Sequence, residues 1–237
     1  MTEFLEPVPE NWERALAIVA HPDDMEYGAA SAVARWTAQG KEISYLLVTR
    51  GEAGIESMDP SLVGPLREAE QRASCAAVGV DDVEFLDHRD GLVEAGIELR
   101  RDLTAVIRTK QPHVLLTINH RDSWGGPSWN HADHRAVGRT VLDAARDAAN
   151  SWLFTDQGAP WRGVKFAAIS GSPSATHAVD VTGHLDAGIA SLRCHHTYLA
   201  NLAGGMADPA EFLSKAATDA GPRLGVSAAT TFELVVF

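Results

Sequence analysis

The sequence predicts an α/β fold: a Rossmann-like, mostly parallel sheet with helices on both faces. Short apolar runs alternate with Ala-rich helical segments at least four times along the chain, and strands that alternate with helices pair in parallel. These runs are apolar at consecutive positions, which is typical of strands buried on both faces. No compositional break marks a linker in the 237 residues, so we expect a single domain over 1–237.

Apolar runs bounded by turn residues predict the strands, and segments with helical periodicity predict the helices. The strands are expected at residues 15–20, 43–48, 83–86, 113–118, 164–170, 178–181 and 230–237. The helices are expected at residues 31–39, 65–78, 97–110, 130–149 and 185–201. In such folds ligands bind beyond the carboxyl ends of the strands, which is where this chain has its His-rich segments.

Composition excludes several classes of partner. The formal net charge of −12 argues against nucleic acid and against membrane insertion, because an acidic surface repels phosphate groups. The N-terminal segment carries acids where a secretion signal would carry lysines and an apolar run. Cys75 and Cys194 form no disulfide framework. These features predict a cytoplasmic protein with a small-molecule partner, and they leave a homo-oligomer open.

The segment HPDD at residues 21–24 follows the first predicted strand. His21 and Asp24 are three residues apart, so a tight turn can direct both side chains at one ion, with Asp23 beside it. The alternative is a loop in which an aspartate caps the next helix, since Asp favours such positions. This segment alone does not decide between the two.

The segment NHADH at residues 130–134 opens a later helix. Asn130 is the expected N-cap, and Asp133 in the first turn suits the helix dipole. Capping does not account for His131 and His134, which project from the same side of the first turn. A helix N-terminus disfavours imidazolium, which keeps a histidine neutral and able to bind metal.

Together the two segments supply the donor set of a catalytic metal site. His21, Asp24 and His134 are three candidate ligands, and catalytic zinc sites use three protein ligands and leave a fourth position for water. The ion would lower the pKa of that water, and Asp23 would accept its proton. His131 would lie near the substrate oxygen or the leaving amine.

Both segments resemble the PIG-L/LmbE family of zinc-dependent N-deacetylases. The resemblance rests on AIVAHPDDMEYG after the first strand and on NHADHRAVG at the later helix. It extends over most of the chain through TRGEAG, LREAEQRASCAAVGV, FLDHRDG and HAVDVTGHLDAGIASLRCHHT. The resemblance implies the LmbE-like three-layer sandwich, one Zn²⁺ per chain, and removal of an acetyl group from the amide nitrogen of an N-acetylated amino sugar.

The resemblance also implies roles for individual residues. It assigns the zinc to His21, Asp24 and His134. It makes Asp23 the general base. His131 would stabilise the oxyanion or donate a proton, assisted by Asp133, whose carboxylate is expected to accept the other ring proton of His131. Substrate contacts are assigned to Glu52, Arg67 and Asp90.

A few positions depart from the family pattern and leave the expected ligands untouched. Ala132 replaces a proline, and Ala29 and Ala30 stand where Gly and Thr are common. Tyr198 stands where Gln is common, which bears on substrate fit. Trp124, in a Gly-rich loop before the second segment, is a candidate wall for a sugar ring, and the alternative is that it packs on its own loop.

Other functions remain open at this stage. The donor set also suits Fe²⁺, Mn²⁺ or Co²⁺. Phosphoester or other ester hydrolysis at the same ion is a second function, which the scarcity of basic residues near the two segments weakens. A non-catalytic metal-binding module is a third, although a structural zinc needs four protein ligands and the sequence offers three.

Overall fold

The computed structural model describes residues 4–237, in which eight strands form one sheet. The strands are β1 (Glu6–Pro7), β2 (Arg14–Val19), β3 (Glu42–Leu47), β4 (Asp82–Phe85), β5 (Val114–Ile118), β6 (Phe166–Ser170), β7 (His177–Asp180) and β8 (Ala229–Val236). The α-helices are α1 (Asp24–Gly28), α2 (Ala30–Ala38), α3 (Pro60–Ala77), α4 (Ile97–Lys110), α5 (Ala132–Ala149), α6 (Leu185–Arg193), α7 (His196–Ala200) and α8 (Pro209–Leu224). Among these described helices, none is both long and apolar enough to cross a membrane.

The sheet is mostly parallel, with the strand order β1-β7-β8-β6-β5-β2-β3-β4. Strands β6, β5, β2, β3 and β4 pair in parallel, as does β1 with β7. Strand β8 runs antiparallel to both of its neighbours, β6 and β7. The predicted mostly parallel α/β fold is therefore confirmed.

Helices cover both faces of the sheet, and β2 shows how. Ala17 and Val19 pack in an apolar cluster with residues of α2, α3 and α8. Leu16 and Ile18 pack in a second cluster with residues of α4 and α5. Successive side chains of a strand point to opposite faces, so an uninterrupted apolar run supplies two cores at once.

Four helical regions differ from the sequence prediction. Helix α3 begins earlier than expected, at Pro60, because the Asp59 carboxylate caps it by accepting a hydrogen bond from a first-turn N–H at 2.9 Å, and proline suits the first helical position. The single helix expected over 185–201 is two helices, α6 and α7, which are separated at Cys194 and His195. The short helix α1 and the long helix α8 were not predicted.

The carboxyl ends of β2, β3, β4 and β5 lie side by side at one edge of the sheet, because these strands are neighbours and parallel. The loops that leave this edge carry residues 20–23, 48–59, 86–96 and 119–131. Both His-rich segments are thereby brought to the same edge, where α/β sheets bind their ligands.

Candidate metal centre and active site

The turn after β2 positions one imidazole, of His21, and two carboxyl groups, of Asp23 and Asp24. The His21 backbone N–H donates to Asp24 Oδ2 at 2.8 Å, which folds the turn back on itself. Asp23 adopts a left-handed conformation, with φ 83°, and is followed directly by α1. All three side chains are buried. The predicted tight turn is present, and it places the Asp24 carboxylate next to the His21 ring.

The loop after β5 fixes the second segment. The Asn130 side-chain amide donates to Asn119 O at 2.7 Å and to Arg121 O at 2.9 Å, so its Oδ1 must act as the acceptor. That oxygen accepts from the His131 backbone N–H at 2.8 Å and lies 3.1 Å from His134 Nδ1. His134 Nδ1 therefore faces an acceptor and carries a proton, which leaves Nε2 as the ring nitrogen available to an ion.

The expected N-cap was wrong by one residue. His131 caps α5, because its Nδ1 accepts a hydrogen bond from the Asp133 backbone N–H at 3.2 Å. Burial is the largest influence on the pKa of His131 and lowers it, and the neighbouring His21 lowers it further. A neutral His131 whose Nδ1 accepts a hydrogen bond has its proton on Nε2.

Donor atoms of three residues, His21, Asp24 and His134, converge from the two segments as a donor triangle in which both Asp24 oxygens take part. His21 Nδ1 lies 3.2 Å from His134 Nε2, His134 Nε2 lies 3.1 Å from Asp24 Oδ1, and His21 Nδ1 lies 3.7 Å from Asp24 Oδ2. Ligands bonded at ~2.05 Å to a tetrahedral ion are ~3.3 Å apart, so this triangle matches zinc in size. His131 also has a ring nitrogen within 4.8 Å of those of His21 and His134, so His131 and Asp24 are both candidates for the third ligand. A neutral His131 with its proton on Nε2 offers that atom no lone pair, which favours Asp24.

The electrostatics of this triangle favour a cation. Burial lowers the pKa of His21, but the adjacent Asp24 charge and hydrogen bonds to carboxylates outweigh burial and raise that pKa well above its ordinary value. Burial raises the pKa of Asp24, but His134 and His21 outweigh burial and lower it. Positive charge is thus stabilised at the point where the three donors meet, and a metal ion can supply it.

Two carboxylates orient the far side of the His21 ring. His21 Nε2 lies 3.0 Å from Asp90 Oδ1 and 3.2 Å from Asp133 Oδ2. Asp133 also accepts from the backbone N–H groups of Gly91 at 2.7 Å and Val93 at 3.2 Å. The expected pairing of the Asp133 carboxylate with His131 was wrong, because these three hydrogen bonds turn that carboxylate towards His21.

Asp23 lies beside the triangle rather than in it. Burial is the largest influence on its pKa and raises it to about 8, with Asp24 and Glu26 adding to the rise and Arg67 and His21 opposing it. Its Oδ2 lies 3.2 Å from Arg67 Nη2. The buried Asp23 side chain lines the same cavity as the donor triangle.

Arg67 is held in place by the protein rather than left free. Its guanidinium donates to Gly51 O at 3.0 Å and Pro22 O at 2.7 Å, and it lies 4.1 Å from the centroid of the Tyr198 ring. A Cβ at Gly51 or Gly54 would come within 2.2 or 2.4 Å of Arg67 Nη1, so both positions need glycine for this close approach. The tyrosine that departs from the family pattern covers this arginine.

Of the four residues expected to contact substrate, three line the cavity and one does not. Glu52 does not line the cavity; its Oε1 accepts from the Asp90 backbone N–H at 2.9 Å. Arg67 and Asp90 line the cavity but are bonded to protein groups. Trp124 lines it with its ring edge-on to His134, the centroids 5.6 Å apart. Trp124 thus faces the site instead of packing only on its own loop.

A cavity of about 210 Å³ opens directly onto the donor triangle. It is lined by His21, Asp23, Asp24, Tyr27, Gly54, Arg67, Asp90, Ile118, Trp124, His131, His134, Tyr198 and Met206. Sequence reasoning did not identify Tyr27 and Met206, whose contact joins α1 to the segment between α7 and α8: the Tyr27 hydroxyl donates to Met206 O at 2.8 Å. A tyrosine one turn beyond Asp23 was a signal for Tyr27, whereas nothing local pointed to Met206.

Fold and site together define an α/β protein with a candidate metal centre at the carboxyl ends of its parallel strands. Residues 16–145 match the PIG-L family model, described as GlcNAc-PI de-N-acetylase. This match covers more than half of the chain, and the chain belongs to the PIG-L family.

Curated relatives and solved structures agree with this membership. The 1D-myo-inositol 2-acetamido-2-deoxy-α-D-glucopyranoside deacetylase of Thermobispora bispora is 30% identical, over 89% of this chain and 90% of its own length. The enzyme of the same name from Thermobifida fusca is 29% identical, and the match covers 68% of this chain but only 63% of that protein. N,N'-diacetylchitobiose deacetylase from Pyrococcus horikoshii superposes with a TM-score of 0.85 over 96% of this chain and 85% of its own; at 22% identity it shows the fold alone.

Proposed function

We propose that this protein is a zinc-dependent hydrolase that removes the acetyl group from the nitrogen of an N-acetylated amino sugar. One observation carries the proposal. Two imidazole nitrogens and a carboxylate meet at 3.1–3.7 Å on the floor of a cavity, with the buried Asp23 side chain beside them. This is the donor set of an open catalytic metal site with an adjacent base.

The proposed reaction divides the work among a few groups. A bound Zn²⁺ would polarise the acetyl carbonyl and acidify the attacking water. Asp23 takes a proton from that water as its oxygen bonds to the carbonyl carbon. The His131 Nε2–H donates to the oxyanion that forms. When the C–N bond breaks, its electron pair stays on nitrogen, which receives the proton from Asp23, so the products are acetate and a free amine.

Arg67 keeps the proposed base in position for both proton transfers. Its contact with Asp23 Oδ2 restrains the carboxylate, and its charge opposes the rise in the Asp23 pKa that burial causes. A base is most effective when its pKa is near the working pH, and the Arg67 charge keeps the pKa of Asp23 from rising further.

The substrate class is supported by the relatives and by the cavity. The names of the Thermobispora and Thermobifida proteins describe a 2-acetamido sugar as the substrate. Tyr27, Trp124 and Tyr198 give the cavity aromatic walls, and aromatic rings present the flat apolar surface on which sugar rings pack.

The two rival functions fit the site less well. A phosphoester substrate would need cationic side chains. Among residues 4–237, the one Lys or Arg that lines the cavity is Arg67, which already donates to Gly51 O and Pro22 O. A closed structural zinc would need a fourth ligand, and His131 presents a proton to the site instead of a lone pair. Fe²⁺, Mn²⁺ and Co²⁺ suit the same donors, so zinc itself is part of the proposal.

The test is acetate release from a panel of N-acetylated amino sugars, run beside phosphoesters, with protein reconstituted in each metal. The proposal expects acetate from at least one amino sugar, dependence on added metal, and no phosphate release. Phosphate release in the absence of acetate release would replace the proposed reaction with the rival one.

A further inference from the structure

The backbone of Asp23 adopts an unfavourable conformation. Its φ of 83° lies in the left-handed region, which residues other than glycine rarely adopt. Such residues persist only where the surrounding structure over-determines them. One restraint comes from α3: the Asp23 backbone N–H donates to Gln71 Oε1 at 3.0 Å, inside the protein.

The Gln71 side chain is itself locked. It has no exposed surface, and its Nε2 donates to Glu26 Oε1 at 2.8 Å and contacts Cys75 Sγ at 3.2 Å. Rotating the amide by 180° would place an NH₂ group against the Asp23 N–H and a carbonyl oxygen against the Glu26 carboxylate. Both contacts would be repulsive, so Glu26 determines which end of Gln71 faces Asp23.

Glu26 is a buried residue that accepts hydrogen bonds from several side chains and does not line the reaction cavity. It is fully buried, and its Oε1 also accepts from Ser74 Oγ at 3.1 Å. Neither Glu26 nor Gln71 lines the cavity that opens on the donor triangle. Their connection to the site therefore passes through the main chain of Asp23.

We propose that Gln71, oriented by Glu26, is a positioning residue that fixes the main chain of Asp23 and thereby aims the Asp23 carboxylate at the attacking water. The assignment rests on the proposed function, in which Asp23 is the base. It adds a residue that contacts neither substrate nor metal and that acts through a single backbone hydrogen bond.

Gln71→Met tests the proposal, since methionine keeps the volume of glutamine and removes both hydrogen bonds. A misplaced catalytic group costs about 100-fold in rate, so kcat should fall by about that factor while KM and the metal dissociation constant stay at wild-type values. Ser74→Ala is the matched control. It removes another hydrogen bond to the same Glu26 oxygen and leaves the contact between Gln71 and Asp23 intact, so its kcat should equal that of the wild type.

A second readout does not depend on activity. Amide hydrogen exchange at Asp23, measured by NMR, should accelerate in Gln71→Met and stay at the wild-type rate in Ser74→Ala. Wild-type exchange and kcat in Gln71→Met would overturn the proposal, and so would equal losses in the two variants, which would mean that the network supports only the fold. If the wild type releases no acetate but the exchange result holds, the proposed function fails and the positioning of Asp23 stands.

Should Gln71→Met fail to fold, Glu26→Met carries the test. It removes the oxygen acceptor that orients the Gln71 amide and keeps the approximate size of the side chain. We expect a lower kcat, an unchanged KM and faster exchange at Asp23. A variant that matches the wild type in all three quantities would refute the orienting role of Glu26 and with it the proposal.

Discussion

Replacing Asp90 with asparagine should weaken metal binding rather than substrate binding. In the structure Asp90 Oδ1 lies 3.0 Å from His21 Nε2, while Asp90 Oδ2 accepts from the Ala53 N–H at 2.9 Å. Both neighbours present a proton. An asparagine has one acceptor oxygen, so it can satisfy either His21 or Ala53 but must turn its NH₂ group towards the other.

The loss of metal affinity depends on which hydrogen bonds to His21 remain in the variant. Asp133 still holds His21 Nε2 at 3.2 Å, so the ring keeps one of its two carboxylate partners. Loss of a hydrogen-bonding partner behind a metal-bound histidine costs about 10–100-fold in affinity. We expect Asp90→Asn at the lower limit, about 10-fold or ~1.4 kcal/mol. We expect Asp133→Asn near 100-fold, because this carboxylate also accepts from Gly91 and Val93.

Competition against a chromophoric chelator measures the metal dissociation constant of each variant. Asp87→Asn is the matched control from the same loop, since the Asp87 side chain is 92% exposed and pairs with Arg50 away from His21. An unchanged dissociation constant in Asp90→Asn, together with a raised KM, would refute this reasoning. It would restore Asp90 to the substrate-contacting role that the family resemblance implied.

Further predictions concern the base, the glycine beside Arg67 and an ion pair. Asp23→Ala should keep its metal by elemental analysis and lose about 10²–10⁴-fold in kcat; turnover near wild type would remove Asp23 as the base. Gly51→Ala should lower the free energy of unfolding by about 1–3 kcal/mol in chemical denaturation, because Gly51 has φ 62° and its new Cβ would meet Arg67 Nη1 at 2.2 Å; unchanged stability would contradict that close contact. Burial raises the pKa of Glu233, but hydrogen bonds from Arg121 and Ser172 outweigh burial and lower it. A carboxyl with a depressed folded-state pKa stabilises the fold above its unfolded pKa and loses this contribution as pH falls through the folded value. Glu233→Gln should therefore cost about 1 kcal/mol at neutral pH and nothing in strong acid; a cost that persists in acid would show that charge is not the cause.

Much of the fold was predictable because its signals are local. Uninterrupted apolar runs identified β2 to β8 but not the two-residue strand β1. The prediction for α4 matched both ends, and its C-terminal end is set by Gln111 in the left-handed conformation and by Pro112. Helix α8 was not predicted, because Pro222 near its end is a residue that usually breaks helices. The division between α6 and α7 was not predicted either, because nothing in the local pattern indicates that His195 is fully buried.

The site was predictable only in part. The sequence predicted that His21, Asp24 and His134 lie close together, because parallel strands place their carboxyl ends at the same edge of the sheet. The partners of Asp133 could not, because they depend on the path of the loop after β4, where Gly91 and Val93 direct N–H groups at the carboxylate. Side-chain contacts between distant loops have no signature in local sequence.

Zinc K-edge X-ray absorption on the reconstituted protein tests the central claim most directly, because it counts the imidazoles bound to the ion. Our assignment predicts one ion per chain, with two imidazole nitrogens, from His21 and His134, and oxygen atoms from Asp24 and water. A spectrum that requires three imidazoles would place His131 on the ion and contradict the assignment of an open site with a proton-donating His131.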